Sequence, residues 1–197
     1  MTLIDTRDIR ATAREQIERR AQGGEIRHLY AGLYTDDLTT APEVIIRNEL
    51  FAICAALAPL AVISHRTALE LAPTTEGNVF LTGPYRRTVR LYGHQLTIAQ
   101  GESALPSDVR IPTPLGDTHR SSDARALLEN LQRMTSPAAE SRSLGRAAVE
   151  AWLEDFLKRE GEQRLQQLRA QALAVSGELQ FLREFGVLDK CIGVLLG

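Results

Sequence analysis

Hydrophobic positions along the 197 residues recur at two different spacings, and the switch between them divides the chain into three parts. Residues 3 to 12 (LIDTRDIRAT) read as a short helix. Thr12 is placed to cap a second one over 13 to 22 (AREQIERRAQ), which Gly23-Gly24 would end. The stretch GGEIRHLYAGLYTDD then reads as two short strands around a turn at Ala31-Gly32, where glycine supplies the unusual turn dihedral. Two helices and a two-stranded wing match a winged helix-turn-helix over residues 1 to 40.

Pro42 suits the first turn of one longer helix reaching Ala58, followed by a buried strand at Leu60 to Ile63. Ser64 would cap the short helix that follows, SHRTALEL. From Asn78 the spacing changes to that of strands. NVFLTG, TVRLY and QLTIAQ are short runs of β-branched and aromatic residues separated by Gly83-Pro84 and Gly93, with DVRIPTP and LGDTH as later edge pieces. They predict a small mixed or antiparallel sheet within an α/β domain over 41 to 132.

Helical spacing returns at SSDARALLENL, capped by Ser121 or Ser122. A loop at 135 to 142 precedes a helix over 143 to 160, with an apolar stripe of Leu144, Ala147, Ala148, Ala151, Trp152 and Phe156. Two more helices, about 162 to 175 and 177 to 196, complete a helical region over 133 to 197. The fold class is therefore α+β: a winged helix-turn-helix, a small sheet with helices, and a C-terminal helical bundle.

Charge narrows the function. The formal net charge is −2, so the chain is not a bulk polycation. Yet 21 of its 23 basic residues are arginine, the exceptions being Lys158 and Lys190. That usage suits bidentate contacts to phosphate or carboxylate, and a genome rich in G and C produces it equally well. Cys54 and Cys191 stand alone in apolar helical surroundings, as buried thiols in a reducing compartment do. The longest apolar run, Ile53 to Ile63, is too short for a bilayer and is broken by Pro59. The expectation is a cytoplasmic protein with no membrane partner.

Chemistry-bearing patterns are sparse. His28, His65, His94 and His119 pair with no other His or Cys at metal-ligand spacing, so no metal site is expected. Ser64 and His65 are neighbours, but a triad needs convergence in space, and capping at the helix start is the preferred reading. LTGPYRRT lacks the lysine of a phosphate loop and the glycine spacing of a dinucleotide site, so no cofactor is expected. No constellation marks an enzyme.

The basic N-terminal unit remains. Helical spacing sets Gln16, Arg19 and Arg20 on neighbouring turns, facing a DNA groove, with Arg14, Arg27 and His28 toward the phosphates and Ile17 and Ala21 facing inward. Residues 1 to 34 carry six arginines against five acids, a net of +1, and a solvated helix face accounts for the same residues. Arg86, Arg87 and Arg90 offer a second basic contact on the sheet, with Arg86 and Arg90 on one face and Arg87 on the other.

QIERRAQGGEIRHLYAGLYTDD followed by VISHRTALEL resembles the AbiEi-type antitoxin family, and with FLTGPYRRTVRL, SSDARALLENL and LDKCIGVLLG the likeness covers nearly the whole chain. The later segments resemble the N-terminal region of bacterial Fic (cell filamentation) proteins that carry such a module. The resemblance implies a winged helix that binds operator DNA and represses its own operon, and a second part that counteracts a toxin. It also implies a toxin or Fic domain as partner, in cis or in trans; a homodimer is left open. Fic domains transfer AMP through a His-Pro-Phe motif, and this chain has no His-Pro pair. The inhibitory motif of such systems needs Ser or Thr four residues before a Glu that Gly or Asn follows. Here Glu76, Glu129 and Glu160 have Ala72, Arg125 and Phe156 at that position. The competing expectation is a protein-interaction module whose winged helix is structural.

Overall fold

A computed structural model describes residues 1–7, 9–132 and 142–197; the expected loop at 135 to 142 lies, except for Arg142, outside the described residues. The class is α+β, with eight helices and two sheets among the described residues.

The N-terminal unit opens with a strand where the sequence predicts a helix. Leu3–Asp5 forms β1, because its backbone finds a partner in β3 (Leu33–Thr35), with Ile4 opposite Tyr34. β2 (Arg27–Tyr30) pairs with the other edge of β3, giving the order β1-β3-β2. Gly32 takes φ +78° in the β2–β3 turn, which favours glycine there. Between β1 and β2 lies α1 (Ala11–Gln22). Thr12 lies inside this helix and does not cap it: the helix begins after Arg10 and ends, as expected, at Gly23.

The helix expected over 42 to 58 is two, α2 (Pro42–Asn48) and α3 (Leu50–Leu57), divided at Glu49. After β4 (Val62–Ile63) comes α4 (His65–Glu70). The strands β5 (Asn78–Gly83), β6 (Arg87–Leu91), β7 (His94–Gln100), β8 (Val109–Thr113) and β9 (Gly116–Arg120) join β4 in a six-stranded sheet, ordered β6-β7-β5-β4-β9-β8. The sheet is mixed. β5 runs parallel to β7 and β4 parallel to β9, while β4–β5, β6–β7 and β8–β9 are antiparallel.

α5 (Asp123–Leu131) follows, then α6 (Gly145–Glu160), α7 (Glu162–Leu179) and α8 (Leu182–Leu196). The buried line of α6 is Val149, Leu153 and Phe156, at i, i+4 and i+7. Ala147 and Ala151 of the expected stripe are exposed, since the branched and aromatic side chains bury more area than alanine does. Ser122 is the α5 cap: its hydroxyl accepts from the Arg125 amide at 3.3 Å. Ser122→Ala is expected to cost about 1 kcal/mol, read as a lower urea midpoint at unchanged slope.

Two cores result. Leu29 and Leu33 of the N-terminal unit join Ile45, Leu50, Ile53 and Leu57 and the inward residues of β5, β6 and β7. Ala124, Leu127 and Leu128 of α5 belong instead with α6, α7 and α8. No described helix is long and apolar enough to cross a membrane. Cys54 and Cys191 are free and buried, and burial pushes the Cys54 thiol up to about 12.

Candidate functional site

The expected nucleic-acid residues sit on α1, on β2 and around β6. α1 buries no residue; Ala13, Ile17 and Ala21 are half-buried, and Gln16, Arg19 and Arg20 are exposed. Their guanidinium groups are lightly held. Arg19 Nε reaches the Glu15 carbonyl within the helix at 3.4 Å, and Arg20 Nε meets Glu25 Oε2 at 3.1 Å in an exposed pair. Such a pair contributes little and gives way readily to another anion.

Arg14 and Arg27 are held more firmly. Arg14 donates through Nε and Nη2 to the Thr6 carbonyl, at 3.2 and 2.9 Å, and from Nη2 to the Arg7 carbonyl at 3.2 Å. These bonds tie α1 back to the end of β1. Arg27 donates to the Thr40 and Leu38 carbonyls at 2.6 and 2.5 Å and fastens the segment leading into α2. The His28 ring lies 5.0 Å from that of Tyr34, and its carbonyl accepts from the Tyr92 hydroxyl, joining β2 to the β6–β7 turn.

On the large sheet, Arg86 precedes β6 and is exposed. Arg87 and Arg90 point to opposite faces of the strand. Arg87 Nη1 donates to the Leu57 carbonyl at the end of α3 (3.3 Å), and Arg90 Nε to Gln95 Oε1 (3.4 Å). Residues from the two expected basic clusters nonetheless meet. Arg14 and Arg87 line one cavity of about 390 Å³ with Arg7, Glu18, Tyr30 and Tyr34. Arg7 is itself paired with Asp5.

A second polar centre, which the sequence reading leaves unmarked, lies inside the molecule. Arg125 and Glu129 are 1 % and 2 % exposed, on one face of α5. Arg125 Nε donates to Glu129 Oε1 at 2.8 Å and Nη1 to Asp108 Oδ2 at 2.6 Å, with further bonds to the Ser103 and Glu102 carbonyls. Glu129 Oε2 accepts from the Ser121 hydroxyl (3.0 Å) and the His65 backbone amide (2.9 Å). Burial pushes the Glu129 carboxyl up, against the pull of Arg125, the His65 amide and the Ser121 hydroxyl.

That amide bond holds an unusual backbone. His65 takes φ +53° at the start of α4, a left-handed conformation that costs a non-glycine residue about 1–3 kcal/mol. The Ser64 hydroxyl, which the sequence led one to expect as the α4 cap, makes no capping bond; it bonds the Thr82 hydroxyl at 2.8 Å instead. The His65 imidazole is 3 % exposed, and its Nδ1 has no hydrogen-bond partner. Burial, with the Arg142 and Arg125 charges nearby, lowers it to about 3, so the ring is neutral at ordinary pH. The only sequence signals for this centre are the i, i+4 spacing of Arg125 and Glu129 and the Ser64-His65 pair, neither of which announces burial.

Among the described residues, no group of three His, Cys, Asp or Glu side chains comes together to hold a metal ion. No protein-family model matches this chain, and no curated protein matches it.

Proposed function

We propose that this chain is a DNA-binding regulatory module of the antitoxin type, with its N-terminal unit a winged helix and its remainder the contact for a toxin or Fic domain. The observation that carries this reading is α1: a helix between two strands of a three-stranded sheet, with no buried residue and with Gln16, Arg19 and Arg20 exposed. A strand, a helix and a two-stranded wing in the order β1-β3-β2 suit presentation of that helix to a major groove. Arg19 and Arg20 read or neutralise DNA in this scheme, and Arg14, Arg27, His28 and the Arg86–Arg90 group flank it. The AbiEi-type resemblance supports the same assignment.

The second reading is a protein-interaction module. It is favoured by Arg14 and Arg27, whose guanidinium groups are engaged by backbone carbonyls of the chain itself. It is also favoured by the +1 balance of α1, three arginines against Glu15 and Glu18.

Electrophoretic mobility with duplex from the chain's own promoter, across a salt series, separates the two. A DNA-bound α1 gives a steep fall of log affinity with log salt, and R19A/R20A lowers the slope by about 2. Absent binding, or a slope unchanged in the double variant, rejects the DNA reading in favour of the interaction module.

A further inference from the structure

The strained, buried His65 lines a cavity of about 260 Å³ between the start of α4, the end of β7, α5 and the turn joining α7 to α8. Its wall combines Glu102, Arg125, Glu129 and Arg142 with Gln100 and Gln132 and with the apolar Leu179 and Phe181. Most of this lining is polar, so a guest would be held chiefly by hydrogen bonds, with the apolar side chains as a smaller contact. At about 260 Å³ the cavity lies just below the usual range for ligand sites, which limits the guest to a small molecule.

Charge bookkeeping narrows the ligand. Two guanidinium groups, Arg125 and Arg142, stand with two carboxylates, Glu129 and Asp108. Arg125 is bonded to both carboxylates, and the Arg142 charge faces Glu129. Among the described residues the buried charges of the cluster are matched one for one, and the exposed Glu102 adds a carboxylate at the cavity wall, so an anionic guest would be repelled. The groups able to read a guest are neutral: an imidazole and two carboxamides, each offering a donor and an acceptor. Phe181 supplies an aromatic wall for a planar ring. Three facts single out His65 as the reader. Its Nδ1 is one of the few buried side-chain polar atoms among the described residues with no hydrogen-bond partner. Its backbone is held in a strained conformation by Glu129. Its position at a strand-to-helix junction presents the ring at the end of β4.

We propose that this cavity is a binding site for an uncharged planar heterocycle of the nucleobase or nucleoside class, with His65 as its hydrogen-bonding reader and Gln132 as a second contact. The site is separate from α1 and does not depend on the DNA reading.

The test is titration of the full chain with adenosine, guanosine, cytidine and uridine, and separately with inorganic phosphate and acetate. The readout is the ring nitrogen resonances of His65 in histidine-labelled protein. The expected result is a saturable shift of the His65 ring signals with at least one nucleoside and none with either anion. His65→Asn, which keeps a residue tolerant of positive φ, and Gln132→Ala, at the half-buried rim, should each weaken binding about tenfold. Thermal melts establish that both variants are folded. A His65 ring that responds to no nucleoside, or responds to phosphate or acetate instead, overturns the assignment. So does nucleoside binding of unchanged affinity in folded His65→Asn.

Discussion

Glu129→Ala is expected to destabilise the protein by about 3–5 kcal/mol, since it leaves a buried guanidinium short of one of its two carboxylates. Three donors lose their acceptor together: Arg125 Nε, the Ser121 hydroxyl and the His65 amide. Asp108 and two carbonyls still face Arg125, which keeps the loss within that range. For a chain of this size the melting temperature should fall by roughly 10 °C. Glu129→Gln, which retains one amide oxygen as acceptor, should cost less. A double replacement, Arg125→Met with Glu129→Leu, should recover part of the loss, because two apolar side chains need no partners. A Glu129→Ala protein within 1 kcal/mol of the parent would mean that the centre is not dry, and the argument for its charge balance would go with it.

Acid should destabilise the protein through His65 in a defined window. In the unfolded chain the imidazole takes up a proton below about pH 6.5, whereas in the fold burial, Arg142 and Arg125 keep it neutral down to about 3. The unfolded state then binds more protons between those limits. Stability therefore rises with pH across the window and is lost as pH falls from about 6.5 toward 3. From pH 7 to pH 4.5 the His65 contribution amounts to roughly 2–3 kcal/mol. Urea midpoints measured at the two pH values should differ by that amount more in the parent than in His65→Asn, which has no titrating ring. Other carboxylates act on both proteins, so the difference between the two isolates the histidine. Parallel pH profiles would show that the ring is protonated in the fold.

The α1 surface and the buried centre differ in the range of sequence that builds them. α1, its glycine stop and the turn at Gly32 arise among neighbouring residues, and the strand runs from Asn78 to Gln100 show in their composition alone. Residues 3 to 12 show the opposite case. Their local pattern favours a helix, and pairing with β3, some thirty positions away, makes Leu3–Asp5 a strand. On α6 the helix is legible but its buried line is not, because alanine and the larger apolar residues share the pattern and the facing helices choose among them.

The sequence by itself determined the α+β class, the order of most elements, the β2–β3 hairpin and the exposed arginines of α1, because each depends on local periodicity, turn chemistry or charge. Only the tertiary structure decided the sheet order, with its parallel β5–β7 and β4–β9 pairs, and the placing of Arg14 and Arg87 on one cavity. It alone also brought His65, Asp108, Arg125 and Glu129 together in the interior. Hydrogen bonds between residues up to 64 positions apart leave no periodic trace in the chain; they exist only where packing removes water and each polar group must find its partner.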